Sequence, residues 1–211
     1  ASGQNVTLDE SSNNFGTLVV TGANVAATDT NAIILGASTV SGTYGITAGG
    51  AVTNSGALAI TGATTISASG HNVTLNTATN NFQGAVGITG ANVSVVDAGA
   101  IVLGASTVSG TYAVTATAGG DITDTGVLAI SGTSTLTVAN SQSITLDESS
   151  TFATVLFVAS GGTIASVAIK DSNTLDLGAL TTTGNLTVTT GGAVTNSGAL
   201  VIPGTATISA S

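Results

Sequence analysis

The chain has 211 residues, ten acids against a single cation (Lys170), a net charge of −9, and neither cysteine, methionine nor tryptophan. This excludes a nucleic-acid partner, which needs lysine and arginine for its phosphates, and any disulfide frame or cysteine metal site. It also excludes membrane insertion by a helix, because no apolar run approaches the roughly 18 residues of a span. With 42% apolar residues and 5% charged ones, the chain does not have the highly charged, weakly hydrophobic composition of disorder. Without methionine it reads as a processed product or an excerpt, and any export signal would lie outside it.

Short strands follow one another from the start. Residues 17–21, 57–61, 72–75 and 134–138 alternate apolar with small polar side chains, which gives one buried and one wet face. Valine, isoleucine and threonine dominate and favour strands; no stretch has convincing helical periodicity. Glycine and asparagine punctuate the strands at Gly22, Gly42, Gly49-Gly50, Gly56, Gly62 and Gly70, where corners with positive φ are expected. The ten residues 51–60 return at 193–202 with one change, and nearly the same phrase fills 121–130. A unit of about 70 residues is therefore written three times (1–67, 68–138 and 139–211), and such a period decides the architecture.

An aliphatic residue followed by threonine or serine recurs along the chain. The aliphatic members are Val20, Ile46, Ile66, Ile88, Val114, Leu136, Val188 and Ile208, with Val158 filling one gap before Ala159. Their spacings of 26, 20, 22, 26, 22, 22, 30 and 20 residues suit the coils of a parallel β-solenoid. The expected fold is all-β: one continuous parallel β-helix over 1–211, of about nine coils, right-handed by the rule for parallel crossovers. Each anchor should lie on the next, with a hydroxyl ladder outside, in a rod about 40 Å long. The stretch from Thr163 to Gly178 is irregular and reads as a bulged corner or protruding loop. Ala1-Ser2-Gly3 matches Ala68-Ser69-Gly70, and the chain closes in the same phase at Ala210-Ser211. With no capping sequence, the array is expected to continue, covalently or by end-to-end stacking.

Chemistry-bearing residues are sparse. His71 stands where Gln4 and Gln142 stand in the other units, so it reads as an exposed corner rather than a catalyst. Asp9-Glu10 and Asp147-Glu148 share a phase. Asp121 and Asp124 lie three residues apart in a corner, and are weak Ca²⁺ candidates, since calcium needs six or more oxygens. Solvated turn acids are the simpler reading, and no cofactor is expected. Phe15, Phe82 and Phe152 share one phase, and Tyr44 and Tyr112 another, with Leu186 in the third unit. They read as core, or else as a strip for sugars. Asn5, Asn72, Asn92 and Asn185 head formal glycosylation triplets, but Asn24 and Asn92 suit corner hydrogen bonding. Gly49-Gly50 and Gly119-Gly120 are corners, since no helix and no lysine follow to make a phosphate loop.

Phrases such as residues 184–200 resemble the repeat tracts of filamentous-haemagglutinin-like exoproteins. The likeness is one of repeat style, runs through essentially the whole chain and carries no functional residue. It implies a right-handed parallel β-helix, bacterial secretion to the cell surface, and a stalk role in adhesion. The leading expectation is thus a non-enzymatic, extracellular structural shaft that associates with itself or with host or matrix glycans. The alternative is a self-assembling subunit of an extracellular filament or sheath. Ice or glycan-surface binding by an outer threonine ladder is more remote, because coils of unequal length should break a flat face.

Overall fold

The computed structural model describes residues 3–211, so Ala1 and Ser2 of the opening phrase lie outside it. The alternation read from the sequence is realised as short strands, three to a coil. Val25–Asp29, Ile33–Leu35 and Ser38–Val40 make one such coil. Each of them pairs in parallel with a strand of the next coil: Tyr44–Ala48, Val52–Asn54 and Leu58–Ile60. Further on, Leu128–Ala139 and Ile144–Ser160 turn corners without interruption. No helix occurs among the described residues, and none is long and apolar enough to cross a membrane. The chain is an all-β parallel solenoid.

Its pairings run unbroken from end to end. On one wall Val6, Val25, Tyr44, Thr64, Val86, Leu103 and Asp124 form a column, which Ile122 of the same strand continues through Ile144, Val167, Leu186 and Ala206. That column has ten steps, so the solenoid has about ten coils rather than nine. At about 4.8 Å per coil the rod is about 48 Å long. A second wall carries Ile33, Val52, Val73, Val93, Tyr112, Ser134, Val155, Leu177 and Asn196. Most members of both columns are buried, and they enclose one aliphatic core.

The columns correct the expected anchor stack. Ile46, Ile66 and Ile88 do lie on one another, but Ala27, not Val20, precedes Ile46. Val20 instead donates its N–H to the Ser38 hydroxyl of another wall. Val114 and Leu136 stack on the second wall, and Phe157 follows them. Val158 pairs with outward-facing Thr137 and is 39% exposed. Val188 and Ile208 belong to the first wall, and Ile208 is half exposed.

One number explains the broken stack. Tyr44 and Tyr112 are equivalent in sequence, yet one stands in the first column and the other in the second. Three coils carry Tyr44 to Leu103, and Tyr112 lies nearly half a coil beyond. Leu186, the third equivalent, returns to the first wall two residues before Val188. The sequence unit is thus about three and a half coils, and successive units face opposite ways.

Two further expectations change. Of the glycines assigned positive φ, Gly70 has it (+76°) and Gly22, Gly42, Gly49, Gly50, Gly56 and Gly62 do not. What Gly62 supplies is close approach: a Cβ there would lie 2.5 Å from the carbonyl carbon and oxygen of Gly42 one coil below. Nor is the stretch from Thr163 to Gly178 a protruding loop. Val167–Asp171 is a regular strand between Ile144–Leu146 and Leu186–Thr190. The extra residues fall earlier, around Gly161 and Gly162, both with positive φ.

Most of the unequal coil length is absorbed in corners, although register shifts do occur within paired strands between Ile130 and Thr133 and between Leu146 and Ser150. Thr28, Thr47, Ser67, Thr89 and Thr107 accordingly form an outward hydroxyl row across five coils. The expectation that variable spacing would break such a row does not hold on this wall.

Candidate functional site at the seams between units

Strand alternation places Val25, Ala27 and Asp29 on the inward side of one strand, and Val93, Val95 and Asp97 on that of its equivalent. The third equivalent ends at Asp171. All three aspartates are buried, at 2%, 0% and 2% exposure. A buried carboxylate is costly unless its oxygens are hydrogen bonded. Here each one joins two coils. Asp97 accepts the N–H of Gly99 (2.6 Å) through Oδ1 and that of Phe82 (2.6 Å), one coil below, through Oδ2. Asp171 does the same with Asn173 (2.6 Å) and Phe152 (2.8 Å). Asp29 accepts from Asn31 (2.9 Å) and from Phe15.

These clamps stand where the wall pattern changes. The four-stranded sheet Thr21–Gly22, Ser38–Val40, Leu58–Ile60 and Asn81–Phe82 ends at Phe82. Above it comes the corner that follows Asp97, not another strand. The Asp97 carboxylate satisfies the Phe82 N–H that a continuing ladder would otherwise bond. Burial pushes the Asp97 and Asp171 carboxyls above the ordinary carboxylate range, and their backbone N–H partners pull them back. Sequence reading missed this trio as a set. The available signal was an acid in the apolar phase of a strand, repeated in all three units.

Asn80 supports the same seam. It is fully buried and donates from Nδ2 to the Leu75 and Val96 carbonyls. Its Oδ1 accepts from the Leu58 N–H and from Asn54. On the outer corners Asn24 accepts from the N–H and hydroxyl of Thr43, while Asn5 accepts from the N–H and amide of Asn24. Asn72, Asn92 and Thr111 repeat that ladder. Asn24 and Asn92 are corner residues, as their composition predicts.

The other candidates do not converge. Asp121 is exposed and accepts the Ser143 N–H (2.7 Å); Asp124 is buried and accepts that of Asp147 (2.9 Å). Asp121 precedes the strand Ile122–Asp124 and Asp124 ends it, so about 10 Å of backbone separates them. No group of three His, Cys, Asp or Glu among the described residues is placed to hold a metal ion. Burial pushes the Asp124 carboxyl up to about 6; the N–H groups of Asp147 and Glu148 oppose that, and the Asp147 charge adds to it. His71 is exposed at a corner, and Lys170 is exposed on a strand. Tyr44, Tyr112, Phe82 and Phe152 are buried. They are core residues and form no sugar-stacking strip.

No curated protein and no solved structure matches the chain. One family does match, over residues 22–89, 90–159 and 164–211. Asp97 of its second match therefore clamps Phe82 of its first, and Asp171 of the third clamps Phe152 of the second. With three matches over most of its length, the chain belongs to a family described as repeats of unknown function (DUF5649).

Proposed function

We propose that the chain is a non-enzymatic structural shaft of a secreted bacterial surface protein of the adhesin or matrix type. The observation that carries this reading is the first wall, whose parallel pairings run from Val6 to Ala206 across both seams. A parallel solenoid satisfies its backbone bonds between coils and buries a continuous core along its axis. The resemblance to filamentous-haemagglutinin-like tracts supplies the extracellular setting. Any glycan partner would meet small hydroxyl side chains such as Thr47, Ser67 and Thr89, since the aromatics other than the partly buried Phe15 are inside.

Electron microscopy of the native material, combined with the mass of the denatured polypeptide, tests the proposal. Stalks whose denatured chain is several times 19.9 kDa support a shaft within one long protein. Fibres that dissolve into chains of that mass overturn it in favour of a stacking filament subunit.

A further inference from the structure

Six buried side-chain polar atoms have no hydrogen-bond partner among the described protein groups. They are the Tyr44 hydroxyl, Asn54 Oδ1 and Thr64 Oγ1, and the Tyr112 hydroxyl, Asp124 Oδ2 and Ser134 Oγ. Buried polar atoms are rarely left unpaired, so each one needs a reason. The six are two copies of one arrangement. Tyr44 stands in the first column with Thr64 one coil on, and Asn54 comes from the second wall. Tyr112 stands in the second column with Ser134 one coil on, and Asp124 comes from the first. The second trio is the first carried about half a turn around the axis.

The two sets share their surroundings as well. Ser38 approaches the Tyr44 phenol, and Ser106 that of Tyr112. Both serine protons are already donated, to the Gly36 and Gly104 carbonyls, and both oxygens accept a backbone N–H, from Val20 and Ile88. Asp124 acts electrostatically on Tyr112, so the two side chains face the same interior space. In the third unit the tyrosine and hydroxyl positions hold Leu186 and Ala206, which pair directly. There both polar groups have been replaced by apolar ones together, as expected if they serve one shared ligand.

We propose that each trio is an internal hydration site holding one water molecule. The water would bridge the tyrosine hydroxyl, the threonine or serine hydroxyl one coil on, and the amide or carboxyl oxygen of the facing wall. It would accept from one hydroxyl and donate to the other two oxygens. Three partners is the usual number for a buried water, and the site is polar while the core around it is apolar.

Magnetic relaxation dispersion of water nuclei, which counts long-lived internal waters, tests this on the whole chain. The pair Tyr44→Phe with Thr64→Val should lower the count by one, as should Tyr112→Phe with Ser134→Ala. All four changes together should lower it by two. Folded variants that leave the count unchanged overturn the proposal, and mean that the hydroxyls satisfy one another or the nearby serines directly. Should a variant fail to fold, water–hydroxyl cross-relaxation on the unaltered chain decides. Cross-peaks of the sign given by slowly exchanging water at Thr64 and Ser134 support it, and their absence overturns it.

Discussion

The isoleucine stack at Ile46, Ile66 and Ile88 and the clamp between Asp97 and Phe82 hold neighbouring coils together in different ways. The stack is apolar and non-directional: any aliphatic of similar volume fits, and a slip by two residues would still bury side chains. The clamp is directional. One carboxylate meets two particular N–H groups, 15 residues apart for Phe82 and two for Gly99. Burial therefore supplies most of the stability, and the clamps fix where one unit meets the next.

Removing a clamp gives the sharpest break. Asp97→Ala strands the N–H groups of Phe82 and Gly99, at about 1–3 kcal/mol for each unsatisfied donor. We expect a loss of about 2–6 kcal/mol in denaturant melts. Hydrogen exchange should rise first at those two amides and at the seam around them. Equal loss of protection along the whole rod would contradict the assigned role. Ile66→Ala removes the centre of the stack and should cost about 2–5 kcal/mol, with protection falling on both neighbouring coils. If it released the seam at Asp97 selectively, the distinction between stack and clamp would fail.

A smaller effect follows from Asp124. Burial holds its folded pKa at about 6, above the ordinary aspartate value of 3.8. The folded state thus holds a proton that the unfolded state releases. The associated stability is fully present below about pH 4 and is lost as the pH rises through 6. We expect the chain to be less stable at pH 7.5 than at pH 5, by about 1 kcal/mol once solvent screening is allowed for. Asp124→Asn should flatten that slope. Its equivalents Asn54 and Asn196 already donate to the carbonyls of Gly56 and Gly198. A slope unchanged in the variant would remove Asp124 as its cause. The smallest effect is at the exposed corner: His71→Gln should change stability by less than about 0.5 kcal/mol. A larger loss in the same melts would mean that His71 is more than a corner residue.

Strand identity and the parallel solenoid were legible because alternation and period are properties of the chain itself. The anchor stack was only partly legible, because column membership depends on how many residues each corner absorbs. Val158 follows the aliphatic–small pattern, yet the strand phase turns Phe157 inward instead. The glycines were read as left-handed corners, but Gly62 is needed for backbone approach between coils. That approach is set by the next coil and leaves no local mark in the sequence. The seam aspartates were legible in principle. Their signal lies in the phase of the strand that carries each acid, and net charge and acid spacing do not reveal it.

The half-turn offset between units bears on the mechanics of a long array. Coils within a unit are lopsided, with one longer strand and two shorter ones, as at Tyr44–Ala48, Val52–Asn54 and Leu58–Ile60, so each acts as a slight wedge. Wedges stacked in phase add their tilt and bend a column steadily to one side, like courses of tapered brick. When each unit faces the other way, the tilt of one is cancelled by the next. A tower built on this rule grows straight however many storeys it has, without a brace along its side.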